Sequence, residues 1–105
     1  MENMDVDGIT PSDVFVDRTR TELIQRVSLV MPLADELLSK RMLSKEAYAN
    51  IKAEKTPQDK MRALYEALDT EGSAAKTAFY QALMRQNPHL VQELEKTLSP
   101  AGMLR

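Results

Sequence analysis

The chain has 105 residues, of which 43% are hydrophobic and 29% are charged, so it suits one globular domain and is not disordered throughout. It contains no cysteine, which excludes disulfide bonds, thiol catalysis and cysteine-ligated zinc. No apolar run approaches the ~20 residues that cross a bilayer, and the acidic N-terminus differs from a secretory signal.

The formal net charge of −2 is unevenly distributed along the chain. Glu2, Asp5, Asp7 and Asp13 lie in the first thirteen residues, which contain no basic residue. Residues 14–105 contain the other twelve acidic residues and all fourteen Lys and Arg residues, so this part of the chain carries a formal charge of about +2. Nucleic-acid-binding domains concentrate positive charge on one face, and this near-balance argues against one. It suits a surface that carries patches of both signs.

The composition predicts an all-α fold, because helix formers are abundant and runs of β-branched residues with period two are absent. Residues 1–13 contain acidic residues, Gly8 and Pro11 without a helical period, and are predicted to form a flexible leader. The first helix is predicted over residues 14–29. Its apolar face consists of Val16, Leu23, Ile24 and Val27.

The next two helices are indicated by the residues at their starts. Pro32 suits the first turn of the second helix, in which Asp35 and Glu36 lie beside an apolar stripe. Ser44 is a favourable N-cap for the third helix. The inward residues of these two helices are predicted to be Leu33, Leu37 and Leu38, followed by Ala47, Tyr48 and Ile51.

The fourth helix has the strongest start signal, with Thr56 as N-cap, Pro57 at the first helical position and Asp59 in the first turn. Gly72 is predicted to separate the fourth helix from a fifth, and Asn87–Pro88 to separate the fifth from a sixth. Residues 99–105 are predicted to be a flexible tail. The predicted inward residues are Met61, Leu64, Tyr65 and Leu68, then Ala75, Phe79, Ala82 and Leu83, and finally Leu90, Val91, Leu94 and Leu98.

Six helices with short connections are expected to pack as a closed antiparallel bundle. The sequence offers no catalytic or metal site. His89 is the single histidine, and a zinc site needs three or four ligands. The acid pairs Asp69/Glu71 and Glu93/Glu95 are spaced two residues apart, which directs them to different sides of a helix. We therefore expect no enzyme activity, no cofactor and no bound metal.

Several strings in this order resemble the caspase recruitment domain (CARD), a six-helix member of the death-fold superfamily. They are Phe15-Val16-Asp17, Arg20, Leu23-Ile24-Gln25-Arg26-Val27, Leu37-Leu38, Leu43-Ser44, Tyr48, Lys60-Met61-Arg62-Ala63-Leu64, Phe79-Tyr80-Gln81-Ala82-Leu83 and Pro88-His89-Leu90-Val91-Gln92-Glu93-Leu94. The resemblance covers residues 14–98 and implies the Greek-key helix order of the death fold. It is strongest to CARDs of the inflammasome adaptor ASC and of inflammasome sensors, followed by inflammatory caspase prodomains.

The resemblance implies a cytoplasmic module that binds other CARD proteins, or copies of itself in oligomers or filaments, and neither nucleic acid nor membrane. In such contacts an acidic patch meets a basic patch. By similarity the acidic patch is Asp35 with Glu36, and the basic patch is Arg20, Arg26, Lys60 and Arg62. On the wheel of one continuous helix Arg20 points away from Arg26, a relation that a kink in that helix would change, and Lys60 and Arg62 lie about 200° apart.

Two positions depart from the adaptor pattern. Met31 stands where adaptor-type CARDs have an acidic residue, and Ala63 where they often have a second basic residue. The resemblance implies an adaptor or sensor CARD or, alternatively, an inflammatory caspase prodomain or a CARD-only decoy that binds one partner and caps assembly. A helical DNA-binding domain is the rival of another class, and the balanced charge of the body disfavours it.

Overall fold

The computed structural model describes residues 11–98, which form seven α-helices and no β-strand. The helices are α1 (Pro11–Arg18), α2 (Arg20–Arg26), α3 (Val30–Ser39), α4 (Lys45–Ala53), α5 (Pro57–Glu71), α6 (Ser73–Gln86) and α7 (Pro88–Leu98). The predicted all-α fold is confirmed. Most of the predicted leader, residues 1–10, and the predicted tail, residues 99–105, lie outside the described residues, so the proposed division of the chain stays a prediction.

The first predicted helix is divided in two at Thr19. The backbone of Thr19 has φ −97° and ψ 15°, outside the helical region, and its hydroxyl donates to the Phe15 carbonyl at 2.7 Å. A threonine that bonds back by four residues bends a helix, and here its side chain is also buried. The prediction of one continuous helix is therefore wrong, and a single helical wheel does not relate residues on the two sides of Thr19.

Both ends of this region also differ from the prediction. α1 begins at Pro11, three residues earlier than expected, with Asp13 in its first turn, where a carboxylate is favourable. α2 ends at Arg26, because Val27 takes an extended conformation and turns the chain towards α3. Leu29 consequently lies outside any helix and is 70% exposed.

The predicted N-caps of α4 and α5 are confirmed. The Ser44 hydroxyl accepts a hydrogen bond from the Ala47 amide, and the Thr56 hydroxyl accepts one from the Asp59 amide, each at 3.0 Å. Gly72 joins α5 to α6 with φ +101° and ψ −168°, a conformation that is essentially restricted to glycine. One residue therefore ends one helix and starts the next.

The core lies around α5 and α6. α5 packs against α2, α3 and α4, and α6 packs against α1, α3 and α7 as well as α5. The rings of Tyr65 and Phe79 meet edge to face across these two helices at 5.9 Å. Nearly all predicted inward residues are buried, while Leu38, Ala47, Tyr48 and Leu90 are half-buried. The side chain of Leu98 is outside the described residues.

The core also contains residues that periodicity did not select. These are Phe15, Val30, Ala34, Leu43, Ala67 and Ala78. The three alanines among them are small and do not stand out in a stripe of large apolar residues.

Arg41 is the one non-glycine residue with positive φ among those described, at 62°. It follows α3 in a helix-ending turn, in which the Arg41 amide donates to the Leu38 carbonyl and the Met42 amide to the Leu37 carbonyl. Glycine is the usual residue there because it has no Cβ. We expect Arg41→Gly to raise the free energy of unfolding by about 0.5–1 kcal/mol, measured by urea denaturation. Arg41→Ala keeps the Cβ and serves as the control, so an equal gain from both substitutions would contradict the explanation.

Candidate functional site

Asp35 is an exposed residue of α3 whose carboxylate is held by one neutral donor. The hydroxyl of Tyr48, on α4, donates to Asp35 Oδ1 at 2.5 Å. This hydrogen bond to a carboxylate raises the pKa of Tyr48, so the phenol stays protonated and keeps donating at neutral pH. Among the described residues no cation forms an ion pair with Asp35, so no charge within the domain compensates its carboxylate.

Glu36, the neighbour of Asp35, is engaged within the fold. Its side chain is only 18% exposed and forms ion pairs with Arg85 of α6 and, at 3.2 Å, with Lys40. Gln86 also donates to its carboxylate at 3.3 Å. Two cations neutralise Glu36, which joins α3 to α6 and is poorly placed to attract a partner.

Arg20 lies on α2 with its guanidinium over the ring of Tyr65, 5.0 Å from the centroid. Such a contact contributes about 0.5–1 kcal/mol at an exposed site and limits the motion of the side chain. Tyr65 is itself fixed, because it is buried and donates to the Val16 carbonyl at 2.8 Å. Burial raises the pKa of Tyr65 well above its usual value, an effect that the charge of Arg20 partly offsets. Among the described residues Arg20 has no carboxylate partner.

Arg26 and Arg62 are paired with acids of the same chain. Arg26 binds Glu93 of α7 at 2.6 Å, and its hydrogen bond lowers the pKa of the Glu93 carboxyl. Arg62 binds Asp59, one turn earlier on α5, at 2.7 Å. Both pairs are exposed, so each contributes little to stability and both are open to exchange with a partner.

Lys60 has a local role at the end of α4. Its ammonium donates to the Lys52 carbonyl at 3.0 Å and to the Glu54 carbonyl at 2.6 Å. The last carbonyls of a helix lack partners within it, and a lysine there satisfies them and opposes the helix dipole. Lys60 joins α5 to the end of α4.

Two other kinds of feature are absent from the described residues. Among residues 11–98, no group of three histidine, aspartate or glutamate side chains is arranged to hold a metal ion. None of the helices in this range has both the length and the apolar character of a membrane span. The charged surface residues are therefore the candidate functional features.

Comparison with known proteins decides the family. The family model described as caspase recruitment domain matches residues 13–97, most of the chain. The chain belongs to the CARD family. CARDs are protein-interaction domains.

The CARD is similar to one segment of much larger proteins. It is 44% identical over 80 residues to the NACHT, LRR and PYD domains-containing protein 1b allele 3 of Mus musculus. The same identity over the same length relates it to the 1a allele 1 protein of Rattus norvegicus. The matched region covers 76% of this chain but 7% and 6% of those two relatives.

Within this CARD the structure separates the predicted patch residues into two groups. Asp35 and Arg20 keep an uncompensated charge, and each is held by a tyrosine. The other four are bound within the chain, in ion pairs or to backbone carbonyls. These four are Glu36, Arg26, Lys60 and Arg62.

The sequence did not identify the side chains that hold or neutralise the predicted patch residues. Tyr48 and Tyr65 were predicted as core residues only, and Arg85 was not singled out at all. Lys76 was also missed. It binds Asp17 of α1 at 2.9 Å and Asp69 of α5 at 3.5 Å, and the hydrogen bond to Asp17 raises its pKa. The pairs Arg20/Tyr65, Glu36/Arg85 and Asp17/Lys76 are each more than forty residues apart in sequence, so no local pattern reports them.

Proposed function

We propose that this CARD binds other CARDs, or copies of itself, through a contact between Asp35 on one domain and Arg20 on the next. The observation that carries the proposal is that, of the six predicted patch residues, one acid and one base have no ion-pair partner within the described chain, and an aromatic side chain orients each of them. A domain with unlike charges at two places makes head-to-tail contacts, which continue into an open assembly when the rotation does not close. Opposite charges also set the register of such a contact.

Arg26 and Arg62 contribute to the basic side in this proposal by exchanging their internal partners for a partner's acid. The exchange is inexpensive because both ion pairs are exposed. Glu36 and Lys60 act indirectly, by holding α3 against α6 and α5 against α4.

The setting that we propose is inflammasome or caspase-activation signalling in the cytoplasm. The sequence resemblance to the CARDs of the inflammasome adaptor and sensors supports it, and the absence of cysteine is compatible with a reducing compartment. The partners would be other CARD-containing proteins, namely an adaptor, a sensor or a caspase.

A CARD that binds one partner and caps its assembly is the second candidate. Two of the four proposed basic residues are already neutralised by acids of the same chain, and Met31 and Ala63 add no charge, which favours a weaker self-contact. Such a domain would shorten the filaments of a partner CARD without forming its own.

Size-exclusion chromatography and negative-stain microscopy of the purified chain, over a range of concentration and salt, test the proposal. We expect oligomers or filaments that form more readily at low salt, because exposed charges are screened beyond about 10 Å at 0.1 M salt. If the chain instead caps the assembly of a partner, we expect a monomer that shortens filaments of the adaptor CARD. A chain that stays monomeric at high concentration and low salt, and also fails to bind a CARD, would overturn both candidates.

A further inference from the structure

We propose that Tyr48 is a positioning residue that holds the Asp35 carboxylate in the orientation needed to receive a cation from the opposing domain. The inference rests on the proposed function and assigns a role to a residue outside the charged patches. Its starting point is the 2.5 Å hydrogen bond from the Tyr48 hydroxyl to Asp35 Oδ1, which joins α4 to α3.

Tyr48 is suited to hold another side chain because it is itself held. It is half-buried and packs against the hydrophobic core. It lies four residues after the Ser44 cap, at the end of the first turn of α4, and its own amide donates to the Ser44 carbonyl at 2.9 Å. The hydroxyl therefore stands at a fixed place on the surface, and the exposed Asp35 side chain is anchored to it.

A neutral donor orients the carboxylate without cancelling its charge. Glu36 illustrates the alternative, because Arg85 and Lys40 hold it and also neutralise it. An ionised carboxylate has about four acceptor positions, and the Tyr48 hydroxyl occupies one of them. The second oxygen of Asp35 stays available, and the remaining acceptor positions on the two oxygens can together receive a planar guanidinium.

Orientation before contact reduces the entropy lost when the contact forms. An exposed aspartate that is free to rotate has to be immobilised by the partner, and pre-organisation removes that cost. We therefore expect Tyr48→Phe, which deletes only the hydroxyl, to raise the concentration at which assembly or CARD binding begins by about 3- to 10-fold.

Tyr80 provides a matched control. Its hydroxyl also donates to an exposed carboxylate on a neighbouring helix, that of Glu95, at 2.5 Å. Glu95 lies outside the proposed patches. If the two hydrogen bonds serve only to join helices, Tyr48→Phe and Tyr80→Phe change assembly alike. If Tyr48 acts through Asp35, only Tyr48→Phe changes it, while thermal unfolding responds similarly in both variants.

The experiment measures the assembly threshold of the full chain by light scattering for wild type, Tyr48→Phe, Tyr80→Phe, Asp35→Asn and the double variant Tyr48→Phe/Asp35→Asn. We expect the threshold to rise for Tyr48→Phe, to stay unchanged for Tyr80→Phe, and to be equal for Asp35→Asn and the double variant. Equal effects of Tyr48→Phe and Tyr80→Phe, or no effect of Tyr48→Phe, would overturn the positioning role.

The same experiment separates this inference from the proposed function. A raised threshold for Asp35→Asn with none for Tyr48→Phe removes the positioning role and leaves the acidic contact intact. An unchanged threshold for Asp35→Asn removes both, because Tyr48 would then have no contact to support.

Discussion

Charge reversal at Asp35 is expected to abolish self-association, and charge reversal at Arg20 is expected to do the same. Asp35→Arg places two basic faces opposite each other, and Arg20→Glu places two acidic faces opposite each other. Like charges in contact cost several kcal/mol, so the assembly threshold should rise by roughly 100-fold or more in either variant. Light scattering and negative-stain microscopy of each purified variant measure the effect.

An equimolar mixture of the two variants is expected to assemble. The altered acidic side of Asp35→Arg then meets the altered basic side of Arg20→Glu, and the two unaltered sides also meet each other. Alternating copies thus recover an acid–base contact at every junction. Thermal unfolding serves as the control. Arg20→Glu loses the contact with Tyr65 and Asp35→Arg loses the hydrogen bond from Tyr48, so stability should change by no more than about 1.5 kcal/mol in either variant. Wild-type assembly by either variant alone would refute the patch assignment, and failure of the mixture would show that these residues do not oppose each other.

Phe79→Ala is expected to lower the free energy of unfolding more than any of the surface substitutions described above. Phe79 is fully buried on α6, in edge-to-face contact with Tyr65 of α5. Phe79→Ala removes that contact and leaves a cavity between the two helices that form the centre of the bundle. The expected cost is about 3–5 kcal/mol, a large share of the roughly 5–15 kcal/mol that stabilises a domain of this size.

Circular dichroism during heating and urea denaturation measures this loss. About 1 kcal/mol lowers the Tm of a small domain by roughly 4–8 °C, so a fall of at least about 12 °C is expected. Met84→Ala, at an exposed position of the same helix, is the control and should change stability by no more than about 0.5 kcal/mol. A fall of less than about 1 kcal/mol for Phe79→Ala would mean that the packing around α5 and α6 is not central to the fold.

Most of the helices were predictable because their signals are local. Thr56 and Pro57 start α5, and Met61, Leu64 and Leu68 follow at the helical period, all within thirteen residues. The break at Thr19 was not predictable in this way. A threonine is common inside helices, and whether its hydroxyl bonds back to the Phe15 carbonyl depends on the packing that buries it.

The charged residues of the candidate site were predictable from the sequence. Which of them lack an ion-pair partner within the chain was mostly not predictable. Asp35 and Glu36 are adjacent and chemically alike. Lys40, four residues after Glu36, is a local partner for it, but the contacts from other helices leave no mark in the local sequence. α3 and α6 pack so that Arg85 reaches Glu36, whereas the side of α3 that faces α4 brings Tyr48 to Asp35. Glu36 is therefore neutralised by Arg85, whereas Asp35 is held by the neutral Tyr48 hydroxyl.

The basic residues divide for the same reason. Arg20 and Arg26 belong to one short helix, yet Tyr65 of α5 contacts the first and Glu93 of α7 binds the second. Residue types and their periods determined the all-α fold, most helix starts and the large residues of the core, because these depend on neighbours within a few turns. Arg62 pairs with Asp59 one turn earlier on its own helix, so its ion pair is local. Whether Arg20 and Arg26 are compensated was decided by tertiary structure, because each contacts a side chain that packing brings from another helix.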